Sequence, residues 1–367
     1  MSPIFERGEI DMNQGVSKDT IPVRSGEELH QHVLESFLRS KISDLPEGNL
    51  EIEQFSAGHS NLTYQLKIGT WEAVLRKPPL GPVAPKAHDM QREYSILSEV
   101  YPLFSPAPKP ILYSDDEHVV GSPFFIMERK QGFIFDTSVP EGIKPSRELF
   151  QNLSKEMVAR LVQLHSISYQ ETRLKEISKP DGFMERQTNG WIARYERAKT
   201  DDIPHIQELE KWLVDHIPAS CDASIIHYDY KLNNAMFNED GTEMVGLFDW
   251  EMTTVGDPLA DLGVAMSYWA EGDDSEVLKK GLGKPSVTIR DGFYTREQFI
   301  SEYARQSGRD VSNMNFYLTF AYFKLAGICQ QIYYRYHNGQ TKDPRFASFD
   351  KYVKTLIEHA YLLTRNQ

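Results

Sequence analysis

At 367 residues the chain is long enough for two packed lobes with a cleft between them, because single hydrophobic cores stop growing at roughly 250 to 300 residues. A hydrophobic fraction of 40% and a charged fraction of 25% are those of an ordinary globular protein and set aside the disordered, collagen-like and membrane classes. Forty Lys and Arg against 53 Asp and Glu leave a net charge of −13, a field that repels polyanions and argues against nucleic acid as the main partner.

Residues 1–24 are polar and aperiodic and read as a flexible N-terminal arm. Charged residues recur through the first 20 positions, from Glu6 to Asp19, and leave no apolar core for a secretory signal, so a cytoplasmic protein is expected. Cys221 and Cys329 are the only cysteines, too few for a disulfide framework and without C-x-x-C spacing. Ser25 and Glu28 have the spacing of a capping box, and Leu29, Val33, Leu34, Phe37 and Leu38 follow at helical intervals.

Short segments of strand character come next: 50–56, 62–68 and 71–76, the last two joined as a tight hairpin across Gly69 and Thr70. A Pro-rich loop over 78–85 precedes a helix near 88–100, and strands near 111–113 and 124–128 complete a β-rich lobe spanning residues 25–128. From 129 to 367 the pattern is mainly helical, with periodic segments near 148–166, 191–199, 206–216, 296–306, 316–336 and 349–363. Lys324 interrupts the most apolar of these, which reads as a buried helix and fails as a membrane span. The expected fold is α+β and bilobal, an antiparallel sheet lobe with a helix followed by a larger helical lobe.

Between 225 and 249 the helical pattern breaks into short apolar stretches and polar clusters, the pattern of loops hung on small strands. There the chain reads Ile226-His227-Tyr228-Asp229-Tyr230-Lys231-Leu232-Asn233-Asn234, and 20 residues after Asp229 comes Asp249-Trp250-Glu251. Phosphoryl transfer needs these residue types, because its catalyst positions reactants and stabilises negative charge spread over the transferred group. Asp229 suits the base that takes a hydroxyl proton, with Asn234 and Asp249 offering oxygens to Mg2+. Lys231, two positions on, points to the same side of an extended loop and is placed to meet the γ-phosphate; His227 reads as a brace.

His227-x-Asp229-x-x-x-x-Asn234 with Asp249 resembles the catalytic loop and metal-binding Asp shared by aminoglycoside phosphotransferases, choline kinases and protein kinases. The longer run from Asp249 through Gly256-Asp257-Pro258-Leu259-Ala260-Asp261-Leu262 resembles the aminoglycoside phosphotransferase superfamily, closest to kinase-like domains fused to some acyl-CoA dehydrogenases. The resemblance implies a protein-kinase-like fold, ATP and Mg2+ as cofactors, and a small-molecule hydroxyl as acceptor. It makes the lobe at 25–128 the nucleotide-binding lobe and 129–367 the catalytic and acceptor-binding lobe. Gly58, Ser60 and Asn61 then match the phosphate-covering turn.

On the third strand Val74 and Arg76 share one face and Leu75 and Lys77 the other, so one cation points into the cleft. The resemblance favours Arg76, paired with Glu93 on the following helix, with Lys77 as its competitor. Met127 and Glu128 match the strand that leads into the adenine-reading hinge. Asp261 is expected to accept N–H groups of the catalytic loop; Glu251 assists a second metal ion, touches the acceptor or steadies its loop. Gln187, Trp191 and Tyr195, four apart near a Gly190 break, line either an acceptor pocket or the inner face of a core helix. The C-terminal end lacks the acidic character that antibiotic-modifying members use for amines, so hydroxylated metabolites, hydroxyacyl thioesters among them, are the expected acceptors. Two alternatives stand beside this reading: a protein kinase, against which Gly256-Asp257-Pro258 follows Asp249 too soon for an activation segment, and a non-catalytic nucleotide-binding protein of the same fold.

Overall fold

The computed structural model describes residues 19–56, 61–80, 88–219, 222–281 and 283–365. Its first part is a six-stranded antiparallel sheet in the order β1-β2-β3-β4-β6-β5: β1 (Thr20–Ile21), β2 (Glu51–Phe55), β3 (Leu62–Ile68), β4 (Trp71–Lys77), β5 (Pro110–Ser114) and β6 (Phe124–Glu128). The β3–β4 hairpin turns at Gly69, φ +55°, with Ile68 opposite Trp71, as the Gly69-Thr70 pair predicts. Alternation sorts β4 cleanly. Val74 joins the core under α2 (Met90–Val100), whereas Ala73 and Leu75 join a second core under α1 (Gln31–Lys41). Helix α2 starts at Asp89, whose side chain accepts the Arg92 N–H. A short α3 (Glu117–Val120) links β5 to β6.

The second part is mainly helical: α4 (Arg147–Ser166), α5 (Leu174–Ile177), α6 (Phe183–Ala198), α7 (Ile206–Asp215), α8 (Pro258–Tyr268), α9 (Glu276–Lys280), α10 (Arg296–Ser307), α11 (Met314–His337) and α12 (Phe349–Leu363). Five short strands interrupt it: β7 (Phe133–Ile134), β8 (Ser224–Ile226), β9 (Ala235–Phe237), β10 (Met244–Leu247) and β11 (Thr254–Gly256), paired as β10-β9-β7 and β11-β8. Together the two parts make the bilobal α+β fold. No helix among the described residues is long and apolar enough to cross a membrane.

Four expectations need correction. Thr20 and Ile21 pair with β2 instead of lying in a free arm, and residues 1–18 fall outside the described residues. Helix α1 begins at Gln31, and the Glu28 carboxylate accepts the Gly26 N–H, so Ser25 and Glu28 shape a turn and form no capping box. Helix α6 begins at Phe183 and runs through Gly190 without a break, because packing of its Thr188 and Trp191 face outweighs one glycine's weak helix propensity. Helix α8 is absent from the predicted helices: it is buried all round and carries no polar stripe to give it a period. It lies against α11 so closely that a Cβ on Gly263 would sit 2.7 Å from the Tyr317 carbonyl oxygen.

Candidate active site

Two loops hold the candidate catalytic and metal-binding residues. One, 227–234, connects β8 to β9, and the other, 248–253, connects β10 to β11. Because β8 pairs with β11 and β9 with β10, both loops leave the small sheets at one place. The Phe248 N–H donates to the Asn234 carbonyl at 2.9 Å, and the His227 Nε2–H donates to the Phe248 carbonyl at 2.9 Å. Two loops separated in sequence are thereby held side by side.

The catalytic loop is pinned from below by Asp261 on α8, as expected: its Oδ2 accepts the His227 N–H at 2.7 Å and its Oδ1 accepts the Tyr228 N–H at 2.8 Å. His165 of α4 lies 3.1 Å from the same Oδ2. Burial raises the Asp261 carboxyl, but the contacts to His165 and His227 outweigh it and hold the group below its usual range. His227 is fully buried, and desolvation lowers its pKa despite nearby Asp261 and Asp229, so a neutral ring donates from Nε2 and accepts the Asp229 N–H at Nδ1. It is a brace.

Above this support Tyr228 has φ +65°, a left-handed conformation that costs a bulky residue about 1–3 kcal/mol and turns the chain so that Asp229 faces outward. The Asp229 Oδ2 receives the Lys231 ammonium at 2.9 Å and the Asn234 Nδ2–H at 2.9 Å. Lys231 is extended, which brings it to the same side as Asp229. With its nitrogen turned to Asp229, the Asn234 amide directs its oxygen the other way. The Tyr268 hydroxyl at the end of α8 also hydrogen-bonds Asp229, and burial, followed by the Asp229 charge, pushes that phenol well above its ordinary range.

From the sheet lobe Arg76 crosses to the second loop. Its Nη2 donates to Asp249 Oδ1 at 2.6 Å, its Nε lies 3.1 Å from Glu93, and Glu251 is 3.7 Å away. Arg76 is therefore the cation that faces the cleft. Lys77 points to the opposite core and donates to the Val120 carbonyl. Burial raises the Glu93 carboxyl to about 7, helped by Asp249 and Glu251 and opposed by Arg76. Asp249, also at positive φ, is raised by burial but brought below its usual range by Arg76 and then Lys231.

Gly58 and Ser60 lie outside the described residues. The Asn61 side chain donates to Glu251 at 3.1 Å and faces His88 at 2.8 Å, linking the sheet to the Asp249 loop. Met127 is buried opposite Val74, and the Glu128 N–H is engaged by the Lys109 carbonyl, which removes that donor from any hinge contact. Gln187, Trp191 and Tyr195 form the inner face of α6. Tyr195 packs on Phe323, Gln187 accepts the Tyr228 hydroxyl, and none of the three lines the cavity that Lys231 and Tyr268 border.

That cavity, about 370 Å³, lies on the other side of Lys231 and Tyr268 and is bounded by Phe135, Tyr322 and the lysines 279, 280 and 284 of α9 and the loop after it. Three lysines within six residues, in an acidic chain and beside Gly281 and Gly283, are a signal of it that the sequence reading passed over. Lys324, the single charge in the apolar stretch from Phe316 to Tyr334, is the other residue whose position the sequence marked without revealing its contacts.

The model of the phosphotransferase enzyme family matches residues 51–290. Acyl-CoA dehydrogenase family member 11 of Gallus gallus is 35% identical over 95% of this chain, and that of Homo sapiens 34% over 90%. The chain spans under half the length of these relatives, 45% and 43%. Among solved structures, a Ralstonia eutropha protein assigned as an aminoglycoside phosphotransferase superposes with a TM-score of 0.78 at 27% identity, covering 92% of this chain and 99% of its own. Choline kinase from Cryptosporidium parvum superposes with a TM-score of 0.61 at 13% identity over 91% and 95%, a likeness of fold. On the strength of the family model and these relatives, the chain belongs to the phosphotransferase enzyme family.

Proposed function

We propose that the protein transfers the γ-phosphoryl group of ATP to a hydroxyl of a small metabolite, with the lobe at 25–128 binding nucleotide and that at 129–367 binding the acceptor. The observation that carries this reading is the meeting of Asp229, Lys231, Asn234 and Asp249 on two hydrogen-bonded loops, with Arg76 reaching in from the sheet. A carboxylate and an amide oxygen are hard donors that fit Mg2+, so Asn234 and Asp249 are its assigned ligands. When bound, the ion supplies positive charge to the phosphate oxygens. Asp229 takes the acceptor's hydroxyl proton as the new O–P bond forms and the bond to ADP breaks. Lys231 and Arg76 offer cations to the phosphates, while His227 and Asp261 keep the loop in place.

The acceptor enters from the cavity that Lys231 and Tyr268 share with Lys279, Lys280 and Lys284. On that lining Lys231, Lys279, Lys280, Lys284 and Arg296 outnumber Asp136 and Asp274 and favour an acceptor bearing an anionic group, as a hydroxyacyl thioester of coenzyme A does in its phosphates, beside an apolar acyl body. Relatives named for acyl-CoA dehydrogenases support the same class. A cytoplasmic setting agrees with the buried, unpaired Cys329, and the net charge of −13 argues against nucleic acid. Incubation with MgATP and a panel of hydroxylated metabolites, anionic and neutral, tests the reading. ADP and a phosphorylated product are expected, with Asp229→Asn lowering kcat about 10²- to 10⁴-fold. Full activity in that variant would sink the mechanism.

A further inference from the structure

Lys324 is 3% exposed, in the middle of α11, and takes no part in the chemistry described above. Lysine is seldom buried to this degree without a specific partner. Here the partner is a single residue, met twice. The Lys324 Nζ donates to the Tyr228 carbonyl at 3.1 Å and lies 3.8 Å from the centroid of the Tyr228 ring, with Trp191 of α6 at 6.0 Å. Tyr228 is the left-handed residue directly before Asp229. Its other polar groups are fixed from different helices, the N–H by Asp261 of α8 and the hydroxyl by Gln187 of α6.

The Tyr228 carbonyl belongs to the same peptide plane as the Asp229 N–H, which His227 Nδ1 accepts. A rotation of that plane would release both bonds and swing the Asp229 side chain away from its present direction. We propose that Lys324 is a positioning residue: its ammonium, clamped between the ring and the carbonyl of Tyr228, locks the 228–229 peptide and so sets how Asp229 faces the acceptor. This rests on the phosphotransfer reading of Asp229.

The clamp depends on protonation. Charged and titratable groups act on Lys324 from the catalytic loop (Asp229, Lys231 and the Tyr228 phenol), from α8 (Asp261) and from α6 (Arg194). Burial lowers the ammonium to about 8, Asp229 and Asp261 pull it up, and Lys231 and Arg194 push it down. Loss of the charge weakens both contacts to Tyr228, so turnover falls on the alkaline side of that value.

The probe is MgATP with water as acceptor, read as ADP release from pH 6.5 to 10, in wild type, Lys324→Met, Lys324→Arg and Asp229→Asn. Lys324→Met is expected to lower kcat about 100-fold, the scale of a misplaced catalytic group, with KM for MgATP changed by less than about twofold. Wild type is expected to lose turnover above a midpoint near 8. Lys324→Arg, which stays charged, is expected to recover activity over Lys324→Met and to carry the alkaline limb beyond pH 10. Trp191 fluorescence, isolated by subtracting Trp191→Phe, is expected to titrate with the same midpoint in wild type and not in Lys324→Met. A wild-type rate in Asp229→Asn would overturn the phosphotransfer reading itself. An inactive Asp229→Asn beside a wild-type kcat in Lys324→Met, or an unshifted alkaline limb in Lys324→Arg, would overturn the role of Lys324 alone. If Lys324→Met fails to fold, the limb in Lys324→Arg and the wild-type fluorescence titration decide.

Discussion

Replacing Lys324 by Met should cost activity while sparing or raising stability at neutral pH, and the size of the effect follows from the burial of the ammonium. Burial lowers its pKa from 10.5 to about 8 on folding. At about 1.36 kcal/mol per unit, holding that charge inside costs roughly 3 kcal/mol at pH 7. The folded pKa lies below the unfolded one, so the unfolded chain binds the extra proton between pH 8 and 10.5. Stability is therefore reduced below pH 8 and recovers as pH rises through that window. Methionine keeps an unbranched stem and removes the cost, but it leaves the Tyr228 carbonyl without its donor, a loss of about 1–3 kcal/mol. The variant is thus expected to match wild type or exceed it by up to about 2 kcal/mol at pH 7, and to fall about 1–3 kcal/mol below it by pH 10.5. Urea unfolding followed by tryptophan fluorescence at several pH values measures the difference, in which other titrating groups cancel. Parallel stability curves across pH 7.5 to 10.5 would refute the argument, as would a variant that is several kcal/mol weaker at pH 7.

Asp261→Asn places an amide N–H against one of the loop's own donors in a fully buried position and should destabilise the fold by about 3–5 kcal/mol, read from the urea midpoint. Because the Asp261 pKa is depressed in the folded state, its contribution is present above the usual carboxylate range and is lost as pH falls below about 4. Arg76→Met leaves Glu93, Asp249 and Glu251 facing one another without their shared cation and should weaken MgADP binding about tenfold or more by calorimetry. Arg76→Lys should recover part of it, since the charge returns without the fork; an unchanged Kd in both would mean that the phosphates are held elsewhere. Exchanging Lys279, Lys280 and Lys284 together for Gln should raise KM for an anionic hydroxyl acceptor about tenfold at low salt and far less at high salt, leaving a neutral acceptor unaffected.

Much of this was legible in the chain. Strands β2 to β4 follow from period-two alternation and from the Gly69-Thr70 turn, because they pair in sequence order and their faces are buried in a regular way, whereas β1 pairs with a distant β2 and read as part of an arm. The His227 to Asn234 run is legible because the spacing within one tight loop is set by local chain geometry, and Asp249 because it heads a second motif on the loop after β10. Arg76 rather than Lys77 follows from side chains alternating across β4, once Val74 is known to face α2. Helix α8 was not legible: a helix buried on every side has no polar stripe to reveal it. Helix α6 misled in the opposite way, since its even four-residue spacing suits a pocket wall as well as a core face, and only the position of Phe323 and Tyr228 decides between them.

What the sequence determined by itself is the phosphotransferase class, because the residue types that class needs stand at short fixed intervals in 227–234 and again at 249. What the tertiary structure decided is which distant groups act on them. Lys324 lies 96 residues from the carbonyl it holds, and Arg76 lies 173 from the carboxylate it meets. Contacts of that range are set by how α11, α8 and the sheet pack around the two loops, and packing depends on all their faces at once, so no local pattern records it.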